Sequence, residues 1–264
     1  MKIIESAHEL PSGCAFVPTM GALHAGHASL IKIAQELSQD VVMSIFVNPM
    51  QFERREDFEK YPRTLAADIE IARRSGLSHL WIPSESDVYP GNPRVIEAGP
   101  LGDIFEGASR PGHFDGVVTV VRRLFDLVQP AYAIFGEKDF QQLALINQIA
   151  GEVKIISAPT IREPSGLALS SRNIRLTLSE QIAALVISRA LFAAASEFTL
   201  LRMNQVLLET LAAQPSFSID YAEVIDENDF SLAQEQTRSK RAIIAGWING
   251  VRLIDNMAMG VSEE

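Results

Sequence analysis

The chain has 264 residues, enough for one large domain or two modest ones. Apolar residues make up 47% and charged residues 21%, the balance of an ordinary globular chain. A net charge of −10 argues against a broad nucleic-acid surface, which needs a basic face, but leaves room for a small anionic ligand held by a few local cations.

The N-terminal MKIIESAHEL carries two acidic residues and lacks the sustained apolar run of a signal peptide. CAFVP (14–18) reads as a short strand, and its Cys14, the single cysteine of the chain, as a small hydrophobe beside it. Gly21 then leads into ASLIKIAQEL, whose Leu30, Ile31, Ile33, Ala34 and Leu37 fit one helix face. VVMSIFV (41–47) is apolar but for Ser44, as a strand buried on both faces should be. A polar loop follows, then LAADIEIARRSG, a helix ended by Gly76. HLWIP is the next strand, VVTVVRRLFDLVQ (117–129) a helix despite its valines, and AYAIFG (131–136) a strand. The helix DFQQLALINQIAG and the strand KIISAP complete the alternation. This order predicts an α/β class: a Rossmann-like parallel sheet with helices on both faces.

Near Leu167 the character changes. SEQIAALVISRALFAAASEF and LRMNQVLLETLAAQ read as helices, and YAEVI and RAIIAGWI as strands of a smaller α+β unit. The expected division is 1–165 and 166–264. No stretch holds the ~18–20 consecutive apolar residues of a membrane span, so a cytoplasmic chain with no membrane partner is expected.

In an open parallel sheet, ligands sit beyond the carboxyl ends of the strands, so the residues following each strand are the candidates. After the first comes TMGALHAGH. Its glycines permit close backbone approach, and the start of the following helix offers N–H groups and a positive dipole end to a phosphate. His24 and His27 share a face if the helix has begun by His24, and their N–H groups can stabilise charge growing on phosphate oxygens, or the two histidines simply cap a turn. A zinc pair is disfavoured because no third ligand is evident nearby. After the second strand comes NPMQF, where Gln51 offers two donors and one acceptor to a hydroxy acid, or is simply a loop amide. After AYAIFG comes GEKDFQQL. Lys138 can meet a polyphosphate as a mobile point charge. Asp139 can cap the helix, bind a ribose hydroxyl or help hold magnesium, and Gln142 lies one turn beyond Lys138. Finally LALSSRN supplies Ser170, Ser171 and Arg172 in sequence as oxyanion donors, or as a helix cap at the domain joint.

Together these segments resemble the pantothenate synthetase family, within the HxGH nucleotidyltransferase superfamily. The resemblance runs through PTMGALHAGH, SIFVNPMQF, YPRT, RPGHFDGV, FGEKDFQQL, REPSGLALSSRN and RLIDN, nearly the whole chain. It implies an AMP-forming ligase that joins pantoate and β-alanine with ATP and Mg2+, without a nucleic-acid partner, and usually as a homodimer whose C-terminal domain covers the nucleotide. Carried over by position, Met20, Gly21, Ala22, Leu23, His24, Ala25, Gly26 and His27 line the ATP site, with His27 where a proton donor is usually assigned. Gly136, Glu137, Lys138 and Asp139 also bind ATP, and Ile161, Leu169, Ser170, Ser171 and Arg172 complete the nucleotide site. His24, His27, Lys138 and Arg172 are the implied catalytic groups. Gln51 binds pantoate next to the β-alanine position, Gln142 binds pantoate, and Asp68 is a candidate for metal contact. Three residues depart from the family pattern: Ser165 for an aspartate before GLA, Arg175 for a tyrosine after SSRN, and Phe105 for a leucine before EG. Another enzyme of the superfamily acting on a phosphorylated substrate, or a nucleotide-binding regulator without turnover, are the rival readings. A dinucleotide dehydrogenase is disfavoured, since no GxGxxG follows a strand.

Overall fold

In the computed structural model, residues 1–52 and 58–260 are described. The chain forms two compact units, Met1–Ile161 and Arg162–Glu264.

The first unit is built on a six-stranded sheet: β1 (Lys2–Ile4), β2 (Ala15–Thr19), β3 (Val41–Ile45), β4 (His79–Trp81), β5 (Tyr132–Gly136) and β6 (Lys154–Ala158). The spatial order is β1-β4-β3-β2-β5-β6 and every pairing is parallel. The sheet is therefore the Rossmann-like one expected, with β1 added as an edge strand that three residues were too few to announce. Alternate residues of β2 explain why the central strands are apolar along most of their length. Ala15 and Val17 join one buried cluster with Ile31, Ala34, Met43 and Leu80, whereas Phe16 joins another with Val42, Trp81, Phe114 and Val117. Each face of the sheet thus has its own core.

Four longer helices flank the sheet: α1 (Ala25–Leu37), α2 (Leu65–Arg74), α3 (His113–Val128) and α4 (Phe140–Ile149). Helix α3 starts four residues before the expected Val117, after Gly112 at φ +75°. Its valines 117, 118, 120, 121 and 128 are buried with Leu124 and Phe125. Burial of roughly 1.5–3 kcal/mol per such side chain outweighs the modest helix penalty of a β-branched residue.

In the second unit, α5 (Leu178–Ala195) and α6 (Leu200–Ala212) share one core with an antiparallel sheet, β7 (Ser218–Asp226), β8 (Lys240–Ile248) and β9 (Val251–Ala258), in that order. Thr177 caps α5, accepting from Glu180 N, while the Glu180 carboxylate accepts from Thr177 N. By length and composition α5 alone among the described helices passes as a membrane span. Its sequence nevertheless includes Glu180 and Arg189, and its Ala184, Ile187, Leu191 and Ala194 are buried in the unit's core. The expected two strands are three. β9 follows β8 through Asn249–Gly250, both at positive φ, the turn chemistry that closes a tight hairpin. Residues 162–168 also fold within this unit, by the Arg162–Ala168 bridge and a turn at Gly166 (φ +100°).

Candidate active site

β2 is followed by β3 on one side and flanked by β5 on the other, so the direction of winding reverses between β2 and β5. That is where an open parallel sheet leaves a crevice at its carboxyl edge. β2 ends at Thr19, just before MGALHAGH, and β5 ends at Gly136, just before EKDFQQ.

The segment after β2 is held from several sides. The Thr19 hydroxyl donates to Ser44 O at 2.7 Å, and Gly21 N donates back to Thr19 Oγ1 at 3.3 Å. Gly21 (φ +81°) and Ala22 (φ +49°) are both left-handed. Helix α1 then begins at Ala25 rather than at His24, which is its N-cap in extended conformation. The two histidines cap the helix reciprocally: His24 Nδ1 accepts from Gly26 N at 3.1 Å, and His27 Nδ1 accepts from His24 N at 3.2 Å. The rings lie 4.1 Å apart, centroid to centroid. A ring nitrogen that accepts carries no proton, so each neutral imidazole keeps its proton on Nε2. Burial, then the nearby Lys138 charge, lowers the His24 pKa to about 4. Burial, then His24, lowers that of His27 to about 3. At neutral pH both are uncharged N–H donors.

The segment after β5 is a single turn, Glu137–Asp139, running into α4. Lys138 is largely buried, with Nζ 3.9 Å from Asp139 Oδ2. Both residues act electrostatically on His24 and His27, so this turn and the histidines share one site. Gln141 and Gln142 differ sharply. Gln141 is buried; its oxygen accepts from Glu106 N and its amide donates to Leu101 O and Ile104 O. Gln142 is partly exposed and makes no side-chain hydrogen bond among the described residues.

Gln51 closes a turn, Pro49–Gln51, after β3. It is 7% exposed, and its Nε2 meets Met20 Sδ at 2.8 Å, which joins this turn to the segment after β2. Asn48 organises the turn. Its Oδ1 accepts from Met50 N and from the Tyr89 hydroxyl, and its Nδ2 donates to Gly116 O at 3.0 Å. His113 bonds Gln51 O through Nδ1 at 2.8 Å while its Nε2 meets the Arg110 guanidinium at 2.9 Å. Arginine can only donate, so Nε2 accepts and Nδ1–H donates to the carbonyl.

Asp68, the candidate for metal contact, is 1% exposed. Its Oδ1 accepts from Leu23 N at 2.8 Å and Thr64 Oγ1 at 3.0 Å, and its Oδ2 from Ala22 N at 3.0 Å. Among the described residues no three His, Cys, Asp or Glu side chains gather as a metal set. Ile161 is the last residue of the first unit.

Leu169–Arg172 belong to the second unit. Ser170 caps a short turn, Ser171–Arg175, its Oγ accepting from Arg172 N at 3.2 Å. The Asn173 amide donates to Ala168 O at 3.0 Å. The Arg172 guanidinium is partly exposed and makes no hydrogen bond among the described residues. Arg162 forms a bidentate pair with the buried Asp255 of RLIDN, at 2.5 and 3.0 Å.

The family model for Pantoate-beta-alanine ligase matches residues 2–258. The chain belongs to that family. It is 47% identical to the pantothenate synthetase of Acidothermus cellulolyticus, over 93% of this chain and 85% of that protein. To the pantothenate synthetase of Thermobifida fusca it is 40% identical, over 93% and 89%. The crystal structure of pantothenate synthetase from Thermus thermophilus is similar with a TM-score of 0.93, at 39% identity over 97% and 99% of the two chains. That of pantoate-beta-alanine ligase from Francisella tularensis, complexed with Beta-gamma ATP and Beta-alanine, is similar with a TM-score of 0.80, at 38% identity over 97% of each.

Four residues that organise this site escaped the sequence reading: Asn48, Tyr89, His113 and Gly116. Asn48, His113 and Gly116 lie inside the motifs NPMQF and RPGHFDGV, yet nothing local ties residue 48 to residue 116. The helical Gly116 carried the one available signal. A Cβ there would stand 2.3 Å from Met50 O, so only glycine lets α3 press against the Gln51 turn.

Proposed function

We propose that this chain catalyses the ATP-dependent condensation of (R)-pantoate with β-alanine to pantothenate, through a pantoyl adenylate, releasing AMP and pyrophosphate. The observation that carries the reading is the meeting, at the switch point of a parallel sheet, of two neutral histidines on a helix N-terminus with the Lys138 turn. Membership of the ligase family and the Francisella tularensis complex with ATP analogue and β-alanine support it.

A carboxylate is a poor acyl donor because its leaving group would be oxide. Attack of a pantoate carboxylate oxygen on the α-phosphorus of ATP forms a new P–O bond and breaks the bond to the β-phosphate oxygen. Pyrophosphate leaves, and negative charge accumulates on it. Lys138 meets that charge as a cation, and His24 and His27 meet it through Nε2–H. With pKa values of about 4 and 3 the rings act as neutral donors rather than as imidazolium acids, which refines the proton-donor role implied for His27. Met20–His27, Gly136–Asp139 and Ile161 bind the nucleotide in this reading. Gln51 and Gln142 bind pantoate through their amides. The β-alanine amine then attacks the acyl carbon beside Gln51 and AMP leaves. For that step the enzyme need only hold the amine close and keep water out.

In this reading Asp68 is not assigned as a metal ligand, because it is 1% exposed and its oxygens accept from Ala22, Leu23 and Thr64. Magnesium enters this reading as the counter-ion that accompanies the polyphosphate, and no step is assigned to a protein-held metal. A cytoplasmic homodimer is the assembly proposed. The test is to supply ATP, magnesium, pantoate and β-alanine, omit each in turn, and separate the acid-quenched products. AMP and pantothenate are expected together in the complete mixture alone. ADP as the nucleotide product, or AMP formed without pantoate, overturns the reading.

A further inference from the structure

We propose that Asp68 is a positioning residue for the adenylation step: its buried carboxylate locks the left-handed turn Gly21–Leu23 and so fixes where α1 begins and where His24 and His27 stand. The inference rests on the reaction proposed above.

The turn needs such a lock. Ala22 holds φ +49°, a region that a Cβ disfavours. Its N–H and that of Leu23 point to the two carboxylate oxygens at 3.0 and 2.8 Å. Bonds to an ionised carboxylate are roughly twice as strong as neutral ones, and these are shielded from water. A Cβ on Gly21 would come within 3.0 Å of Oδ2, so the turn is folded tightly around the carboxylate. Asp68 itself is anchored in the first turn of α2, where its N donates to Thr64 O at 2.9 Å and the Thr64 hydroxyl donates to Oδ1. The line of support runs from α2 through Asp68 to residues 22 and 23. One residue later His24 caps α1, and its hydrogen bonds with Gly26 and His27 set both rings. The Asp68 carboxylate itself meets Ala22, Leu23 and Thr64, so it acts through these neighbours.

Asp68→Asn keeps the shape but replaces one accepting oxygen by an amide donor, which then opposes a backbone N–H. We expect kcat/KM for ATP in the pyrophosphate-releasing half-reaction to fall about 10²-fold, the scale of a 1 Å misplacement of catalytic groups. The magnesium concentration for half-maximal rate should stay unchanged. Thr64→Val, which removes only the hydroxyl donor to Oδ1, should lower kcat/KM for ATP by a few fold and keeps the test open should Asp68→Asn fold poorly. A readout that general destabilisation does not move is the side-chain NMR titration of the histidines. In Asp68→Asn those of His24 and His27 should shift up from about 4 and 3 toward 6.5. An Asp68→Asn enzyme with parental kcat/KM for ATP overturns the proposal. So does a defect repaired by excess magnesium, which marks a metal ligand, or a lowered melting temperature with both histidine titrations unmoved. The parent enzyme run alongside separates the two readings: if it releases no pyrophosphate from pantoate and ATP, the proposed reaction fails, while the histidine titrations still decide the role of Asp68.

Discussion

Gly116→Ala tests whether the Gln51 turn is held in place by contact with α3. An alanine in a helix ordinarily stabilises relative to glycine by ~0.5–1 kcal/mol. Here the new Cβ would lie 2.3 Å from Met50 O, 2.5 Å from Met50 C and 2.7 Å from Gln51 N, all backbone. The turn must retreat at least 0.7 Å to bring the closest contact to 3.0 Å. The Asn48 bond to Gly116 O and the His113 bond to Gln51 O are strained by the same movement. Overpacking of this kind costs ~1–3 kcal/mol, so a net loss of about 1–2 kcal/mol remains. At ~2–4 °C per kcal/mol the melting temperature should fall by several degrees. Because Gln51 moves, KM for pantoate should rise about tenfold, while KM for ATP stays within about threefold, a split consistent with a displacement near 1 Å. Initial rates with each substrate varied in turn, beside a thermal melt, measure both. A variant with parental pantoate KM and a raised melting temperature would refute the reasoning.

His27→Ala and Lys138→Ala should each slow pyrophosphate release by about two to four orders of magnitude, and near-normal release by either removes that residue from its role. Gln142→Ala should raise the pantoate requirement far more than the ATP requirement, because its amide has no other engagement among the described residues; equal effects would count against it. The pH dependence follows from the lowered histidine pKa values. Between pH 6.5 and about 4 the unfolded chain binds protons at His24 and His27 that the folded chain refuses. Their contribution to stability is complete above pH 6.5 and is lost as pH falls through the folded values. The kcat/KM for ATP should therefore show no acid limb near pH 6.5, and a limb there that NMR assigns to either ring contradicts the account.

What was legible in the sequence followed local pattern. The largely apolar run Val41–Val47 announced a central strand, and the glycines and histidines after Val17 announced a turn into a helix at the sheet's carboxyl edge. That His24 and His27 could cap a turn was legible; that they cap each other's segment reciprocally was not, because it depends on whether the helix starts at residue 24 or 25. The bonds of Asp68 were hidden for a related reason: an acidic residue in the first turn of a helix shows nothing locally of the backbone donors 46 residues upstream from which it accepts. Strand β9 was hidden inside RLIDN, whose charged Arg252 and Asp255 are buried and paired rather than exposed. The Asn249–Gly250 turn before it was the signal that had been available. Long-range polar contacts such as Tyr89 to Asn48 leave no trace in sequence spacing at all.

The central claim is that the pantoate carboxylate attacks the α-phosphorus of ATP. Pantoate labelled with 18O in its carboxylate tests this most directly, with the nucleotide product weighed by mass spectrometry after complete turnover with β-alanine. The account predicts AMP carrying one 18O atom. Unlabelled AMP, or label appearing in inorganic phosphate with ADP as the nucleotide product, would contradict it.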